Sequence, residues 1–97
     1  MATDVQIHQD IEELLQSIQE KSPVFKLILF NDDTHSMGQV VKQIIKAIKC
    51  DSARALQIMS EAHHNGQAIA KTGSKEECET AQRILEEIQL GTRLEEA

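Results

Sequence analysis

The sequence predicts a small α+β domain. A three-stranded antiparallel sheet packs on three helices in the order β-α-α-β-α-β, behind an N-terminal extension that is helical or flexible. Three observations lead there. Val24-Phe25-Lys26-Leu27-Ile28-Leu29-Phe30 is a short run rich in β-branched and aromatic residues, and it ends in the polar Asn31-Asp32-Asp33. That is the pattern of a buried strand meeting a turn. Three later segments carry apolar residues at helical spacing, each behind a capping residue. The 97 residues suffice for one domain and leave no room for two lobes with a cleft between them. The expected division is an extension over residues 1–23 and a core domain over residues 24–97.

In chain order, Ile7, Ile11, Leu14, Leu15 and Ile18 form an amphipathic stripe with Thr3 or Asp4 as cap, and Ser22-Pro23 ends it. The strand over 24–30 follows. Ser36-Met37-Gly38-Gln39 is a Ser-x-x-Gln capping box. Behind it Met37, Val40, Val41, Ile44, Ile45 and Ile48 line one helical face, and Lys42, Lys46 and Lys49 the opposite one. Asp51 caps a second helix, with Ala55, Leu56, Met59 and Ala62 expected inward and Asn65-Gly66 as its left-handed stop. Gln67 to Thr72 reads as a strand centred on Ala68-Ile69-Ala70. Ser74-Lys75-Glu76-Glu77 is a second capping box, opening a helix with Cys78, Ala81, Leu85 and Ile88 on its core face. Leu90 to Leu94 is the candidate last strand.

Sixteen acidic side chains against ten basic ones give a formal charge of −6, with two Phe, no Tyr and no Trp. Such a chain lacks both the cations that neutralise phosphates and the aromatics that stack on bases, so nucleic acid is an unexpected partner. No apolar run approaches the roughly 20 residues of a membrane span, and no basic flank leads into an apolar stretch as in a signal peptide. Cys50 and Cys78 lie far apart without CxxC spacing, as expected in a reducing compartment. The charge is uneven. Residues 1–21 carry five acids and one base, residues 22–73 four acids and six bases, and residues 74–97 seven acids and three bases. An acidic head and tail flank a mildly basic middle.

Few residues point to chemistry. Asn31-Asp32-Asp33 has two readings. One is turn chemistry, in which Asn and Asp bond their own backbone. The other is a cation site, for which an ammonium group suits so small an acceptor cluster and no calcium-loop spacing is present. His63-His64 sits at the end of the second helix, where neighbours project about 100° apart and do not form a two-ligand metal site. No HExxH, GxSxG or P-loop pattern is present, and nothing supports nucleophilic catalysis. The residues themselves lead to a small binding domain, not an enzyme, with no cofactor expected.

Lys26-Leu-Ile-Leu-Phe-Asn-Asp-Asp33, Met37, Val40-Val41, Ala55 through Ile58-Met59, His63, Gly66 and Ala68-Ile69 together resemble the ClpS adaptor family. The likeness runs over roughly residues 25–90, in order and without gaps. It centres on Asn-Asp-Asp-x-x-x-Met followed by Met-x-x-x-His-x-x-Gly. The resemblance implies an adaptor that binds the free N-terminus of proteins beginning with a bulky hydrophobic residue, the N-degron. It would deliver them to the AAA+ unfoldase ClpA or ClpC for degradation by ClpP. It further implies that Asn31, Asp32 and His63 hold the α-amino group. Met37, Val40, Met59 and Ala62 would line the side-chain pocket, with His35 at its rim and Leu90 as a further wall. Glu76 would meet the unfoldase. A monomer in the cytoplasm, or in the plastid stroma for an organellar form, goes with this reading.

The chain departs from the family where Tyr-Thr-Pro-Met is usual and Thr34-His35-Ser36-Met37 stands here. Ala62 replaces a common Val, and a Lys expected near Ala81 is absent. The extension over residues 1–22, mobile in the family and engaged by the unfoldase, carries a helical stripe here. These departures motivate a second expectation, a ClpS-like regulator that docks on a Clp unfoldase without reading N-termini. A third is an unrelated interaction module of similar build, such as the C-terminal domain of the ribosomal stalk protein.

Overall fold

A computed structural model describes Ile11 and residues 23–97. Apart from Ile11, the expected N-terminal stripe lies outside the described residues. The described elements run β1 (Phe25–Phe30), α1 (Met37–Ile48), α2 (Ser52–Asn65), β2 (Gln67–Gly73), α3 (Lys75–Glu86) and β3 (Thr92–Glu96). This is the α+β order read from the sequence.

Each helix begins where its cap dictates. Ser36 accepts from the Gln39 N–H at 3.2 Å while Gln39 Oε1 accepts from the Ser36 N–H at 2.9 Å, a reciprocal capping box. Asp51 accepts from the Arg54 N–H at 2.8 Å, and Ser74 from the Glu77 N–H at 3.2 Å. These caps satisfy backbone donors that the first helical turn leaves without partners. At the other end of α2, Gly66 takes φ +84°, a left-handed turn that a side chain would disfavour.

The sheet order is β2-β1-β3, with β1 central and antiparallel to both neighbours. A bulge falls where Leu27 pairs with Lys71 and Ile28 with Ile69, so Ala70 is the extra residue on β2. The inward face of β1 carries Leu27 and Leu29. They meet Ile44 from α1, Ile58 from α2, and Cys78 and Leu85 from α3, all fully buried. Six alanines (Ala47, Ala55, Ala62, Ala68, Ala70 and Ala81) complete this core and let helices and sheet approach closely. On the outward face Lys26 pairs with Glu95 at 3.6 Å, and the Arg93 guanidinium lies 5.8 Å from the centre of the Phe30 ring.

Two further backbone bonds hold the end of β1. The Phe30 N–H donates to the Gly91 carbonyl at 2.9 Å, and the Asn31 N–H to the Gly66 carbonyl at 3.0 Å. The second bond ties the turn after β1 to the C-terminal end of α2. A further tie joins α1 to the end of α3. Glu87 accepts from Lys46 at 2.8 Å and from Gln43 at 3.0 Å, and these bonds hold its carboxyl below the usual carboxylate range.

Two expectations need correction. Leu56 was expected inward but is 49% exposed. The buried row of α2 is Ala55, Ile58 and Ala62 with Met59 half-buried, and Leu56 sits about 100° round the helix from Ala55. The last strand begins at Thr92, not Leu90. Gln89 adopts φ +60°, and the Leu90 N–H bonds the Leu85 carbonyl at 3.4 Å, so residues 87–90 wrap off the end of α3 before the chain extends.

Two substitutions probe this frame by urea denaturation. Ile58→Ala, which opens a cavity in the fully buried core, should cost about 2–5 kcal/mol. Gly66→Ala meets no atom within 4 Å of the added carbon. Its cost should therefore be the left-handed strain alone, roughly 1–2 kcal/mol.

Candidate functional site

The turn after β1, the start of α1 and the last turns of α2 enclose a cavity of about 380 Å³. That is the small end of ligand-binding cavities, room for one bulky side chain and its backbone. Its apolar floor comes from buried Leu29, Val40 and Ala62, half-buried Met59, and Met37, which stands 65% exposed at the mouth. Asn31, Asp32, Asp33, His35 and His63 supply the polar part. Among the described residues no lysine or arginine lines the cavity. Asp32 and Asp33 bring two carboxylates to it, a setting that favours cations over anions.

The turn orients its own acceptors. Asp32 Oδ2 accepts three bonds: from the Thr34 N–H at 3.2 Å, the His35 N–H at 2.7 Å and His35 Nδ1 at 2.9 Å. Among the described residues no hydrogen bond reaches Asp32 Oδ1. Asn31 Nδ2 donates to Asp33 Oδ1 at 3.2 Å, which leaves the Asn31 amide oxygen as an acceptor. Burial pushes the Asp32 carboxyl up, but the His35 N–H, the His35 ring and its charge, and the Thr34 N–H together outweigh it. The carboxyl is held below the usual carboxylate value, so Asp32 stays anionic in a nearly enclosed place, its side chain 13% exposed.

His63 reaches the cavity because the Asn31–Gly66 bond brings the end of α2 beside the turn. Its ring meets that of His64 edge-to-face, with centres 5.5 Å apart and planes at 69°. Both histidines line the cavity, although their backbone directions diverge.

The structure thus brings Asn31, Asp32, His35, Met37, Val40, Met59, Ala62 and His63 to one cavity. Leu90, expected as a further wall, is not in the lining. It is buried in the core where the chain folds off α3. Glu76 lies in the first turn of α3, beside a separate shallow groove with Lys49, Lys71 and Thr80. Leu29, Phe30, Ser60 and His64 also line the cavity, although the sequence assigned them no part in it, and Asp33 enters with the turn that the cation reading named. The signal available was their place next to Asn31, Met59 and His63. A final helical turn has no following turn to cover it, so consecutive residues there can face one space. No group of three or more metal-ligating side chains suited to an ion occurs among the described residues.

Comparison with known proteins places this geometry. The family model for the ATP-dependent Clp protease adaptor protein ClpS matches residues 20–92. The ATP-dependent Clp protease adapter protein ClpS of Alkalilimnicola ehrlichii is 36% identical over 61 residues, 63% of this chain and 58% of that protein. The E3 ubiquitin-protein ligase UBR1 of Drosophila melanogaster is 33% identical over 51 residues, 53% of this chain and 3% of that protein. In each case less than two thirds of the relative is spanned. The structure of Agrobacterium tumefaciens ClpS2 bound to L-phenylalaninamide superposes with a TM-score of 0.74. It covers 79% of this chain and all of that one at 18% identity, a likeness of fold.

The depressed Asp32 carboxyl makes a prediction about acid. Its charge contributes stability that is fully present above its unfolded value, near pH 4, and is lost as pH falls through the lower folded value. Asp32→Asn should therefore flatten the fall of stability between about pH 4 and pH 2 relative to wild type, measured by urea unfolding across that range.

Proposed function

The chain belongs to the family of ATP-dependent Clp protease adaptor proteins, ClpS, a family of adaptors rather than catalysts, and from that membership we propose that it captures proteins by a free N-terminus bearing a bulky hydrophobic first residue. One observation carries the reading: the acceptors of the turn and a set of apolar side chains line one cavity of about 380 Å³. A protonated α-amino group offers three donors and a charge. Asp32 Oδ1, the Asn31 amide oxygen and the His63 ring are acceptors suited to it, while Val40, Met59 and Ala62 suit an apolar side chain. Methionines at the mouth and wall adapt to several shapes, since their side chains are unbranched and polarizable. The ligand held by the Agrobacterium protein, L-phenylalaninamide, belongs to the same chemical class, a bulky side chain next to a free amine.

The captured protein would pass to ClpA or ClpC and then to ClpP. Glu76, exposed at the start of α3, is the residue assigned to that contact, and residues 1–23 are assigned to the delivery step as an extension of the core domain. The Thr34-His35-Ser36 departure favours the second reading, a regulator that docks on the unfoldase without reading N-termini.

Calorimetric titration with peptides beginning Leu or Phe, free and N-acetylated, separates the two. The free peptides should bind, and acetylation should cost on the order of 2–5 kcal/mol, at least about 30-fold in affinity. Asp32→Ala should cost a similar amount with the free peptide, because it removes the charge facing the amine. Equal affinity for both peptide forms sinks the proposal, and co-purification with the unfoldase in that case would favour the regulator. Glu76→Ala should slow unfoldase-dependent turnover of a Leu-initiated reporter while leaving peptide affinity unchanged.

A further inference from the structure

His35 meets Asp32 Oδ2 twice, through its backbone N–H at 2.7 Å and its ring Nδ1 at 2.9 Å, and its side chain is 18% exposed. An ionised carboxylate only accepts, so Nδ1 carries the proton in this contact. Two donors from one residue on one oxygen fix the carboxylate in place and leave Oδ1 uncommitted.

The same contact is sensitive to the charge of the ring. Neutral His35 orients Asp32 without cancelling its charge. Protonated His35 sets a full cation 2.9 Å from the carboxylate, where it competes with a ligand cation for that charge. Among the described residues the other ionisable groups facing the cavity are Asp33 on the same turn and His63 and His64 from α2. α1 contributes Met37 and Val40, neither of them ionisable, and β1 contributes Leu29 and Phe30.

We propose that His35 is a positioning residue that aims Asp32 Oδ1 at the α-amino group of a bound peptide, and that its protonation weakens binding by offsetting the Asp32 charge. The inference rests on the reading that the cavity takes a free amino terminus. Thr34-His35-Ser36 is then a working arrangement: the ring closes the turn on Asp32 and couples capture to proton concentration.

Two measurements on the full chain test it. In the free protein, nitrogen NMR of the histidine rings should find neutral His35 with its proton on Nδ1. A ring protonated on Nε2 overturns the inference whatever the peptide does. In titrations with a Phe-initiated peptide, His35→Ala should bind about tenfold more weakly near pH 8. His35→Asn should bind within about threefold of wild type, because its amide donates from nearly the position of Nδ1 and does not titrate. It should also lose less affinity than wild type between about pH 8 and about pH 5.5. Wild-type affinity in His35→Ala, or an unchanged pH loss in His35→Asn, overturns the proposal. A wild-type chain that binds acetylated and free peptides alike overturns the N-terminus reading itself, and the amine-directed role of His35 falls with it.

Discussion

Two backbone hydrogen bonds just past the end of β1 determine where everything else of consequence lies. The Phe30 N–H is held by Gly91 and the Asn31 N–H by Gly66, so the centre strand is clamped from both flanks as it leaves the sheet. A slip of one residue would turn Leu27 and Leu29 out of the core, and these two bonds would be lost with the register. Because the clamp falls on Asn31, the acceptor-bearing turn starts from a fixed point. Because its partner is Gly66, the last turn of α2 is drawn to the same place, and His63 comes with it. Gly66 meets this demand with a left-handed φ that ends the helix and turns its carbonyl toward β1.

On that frame the turn reconciles two readings that its sequence left open. Asn31-Asp32-Asp33 does engage in turn chemistry: Asp32 Oδ2 gathers the Thr34 and His35 backbone donors, and Asn31 bonds Asp33. These bonds use one oxygen of Asp32 and the amide nitrogen of Asn31. The groups left over, a carboxylate oxygen and an amide oxygen, are both acceptors. The bonding that closes the turn therefore leaves free the two acceptors that the proposed capture of an amino group would use. The net charge of −6 has little to do with this, since the segment from 22 to 73 carries more bases than acids. Local negative potential comes from two carboxylates in a cavity that no lysine or arginine lines among the described residues.

Sequence reasoning worked best where a rule is local. Ser36, Asp51 and Ser74 cap because their side chains reach a backbone N–H three residues on, whatever the remainder of the chain does. It worked less well where orientation depends on neighbours. Leu56 has the hydrophobicity of a core residue, yet α2 turns Ile58 inward and leaves Leu56 outside. Leu90 resembles the first residue of a strand, yet a left-handed Gln89 sends it into the core and away from the cavity. Neither outcome has a signal in the spacing, because each is decided by how far the preceding helix continues and which face it turns to the sheet.

By itself, the sequence determined the order of the described elements, the caps and the residues able to accept a hydrogen bond near the end of β1. Periodicity and side-chain chemistry act over three or four residues, and those features need no more. The tertiary structure alone decided that Asn31, Asp32, His35 and His63 share one space with Val40, Met59 and Ala62. It also placed Leu90 in the core and Glu76 on a different surface. These relations join residues far apart in the chain, as Asn31 with His63 or Leu29 with Leu90. They exist only once the sheet register and the packing of α1 and α2 have closed the chain on itself.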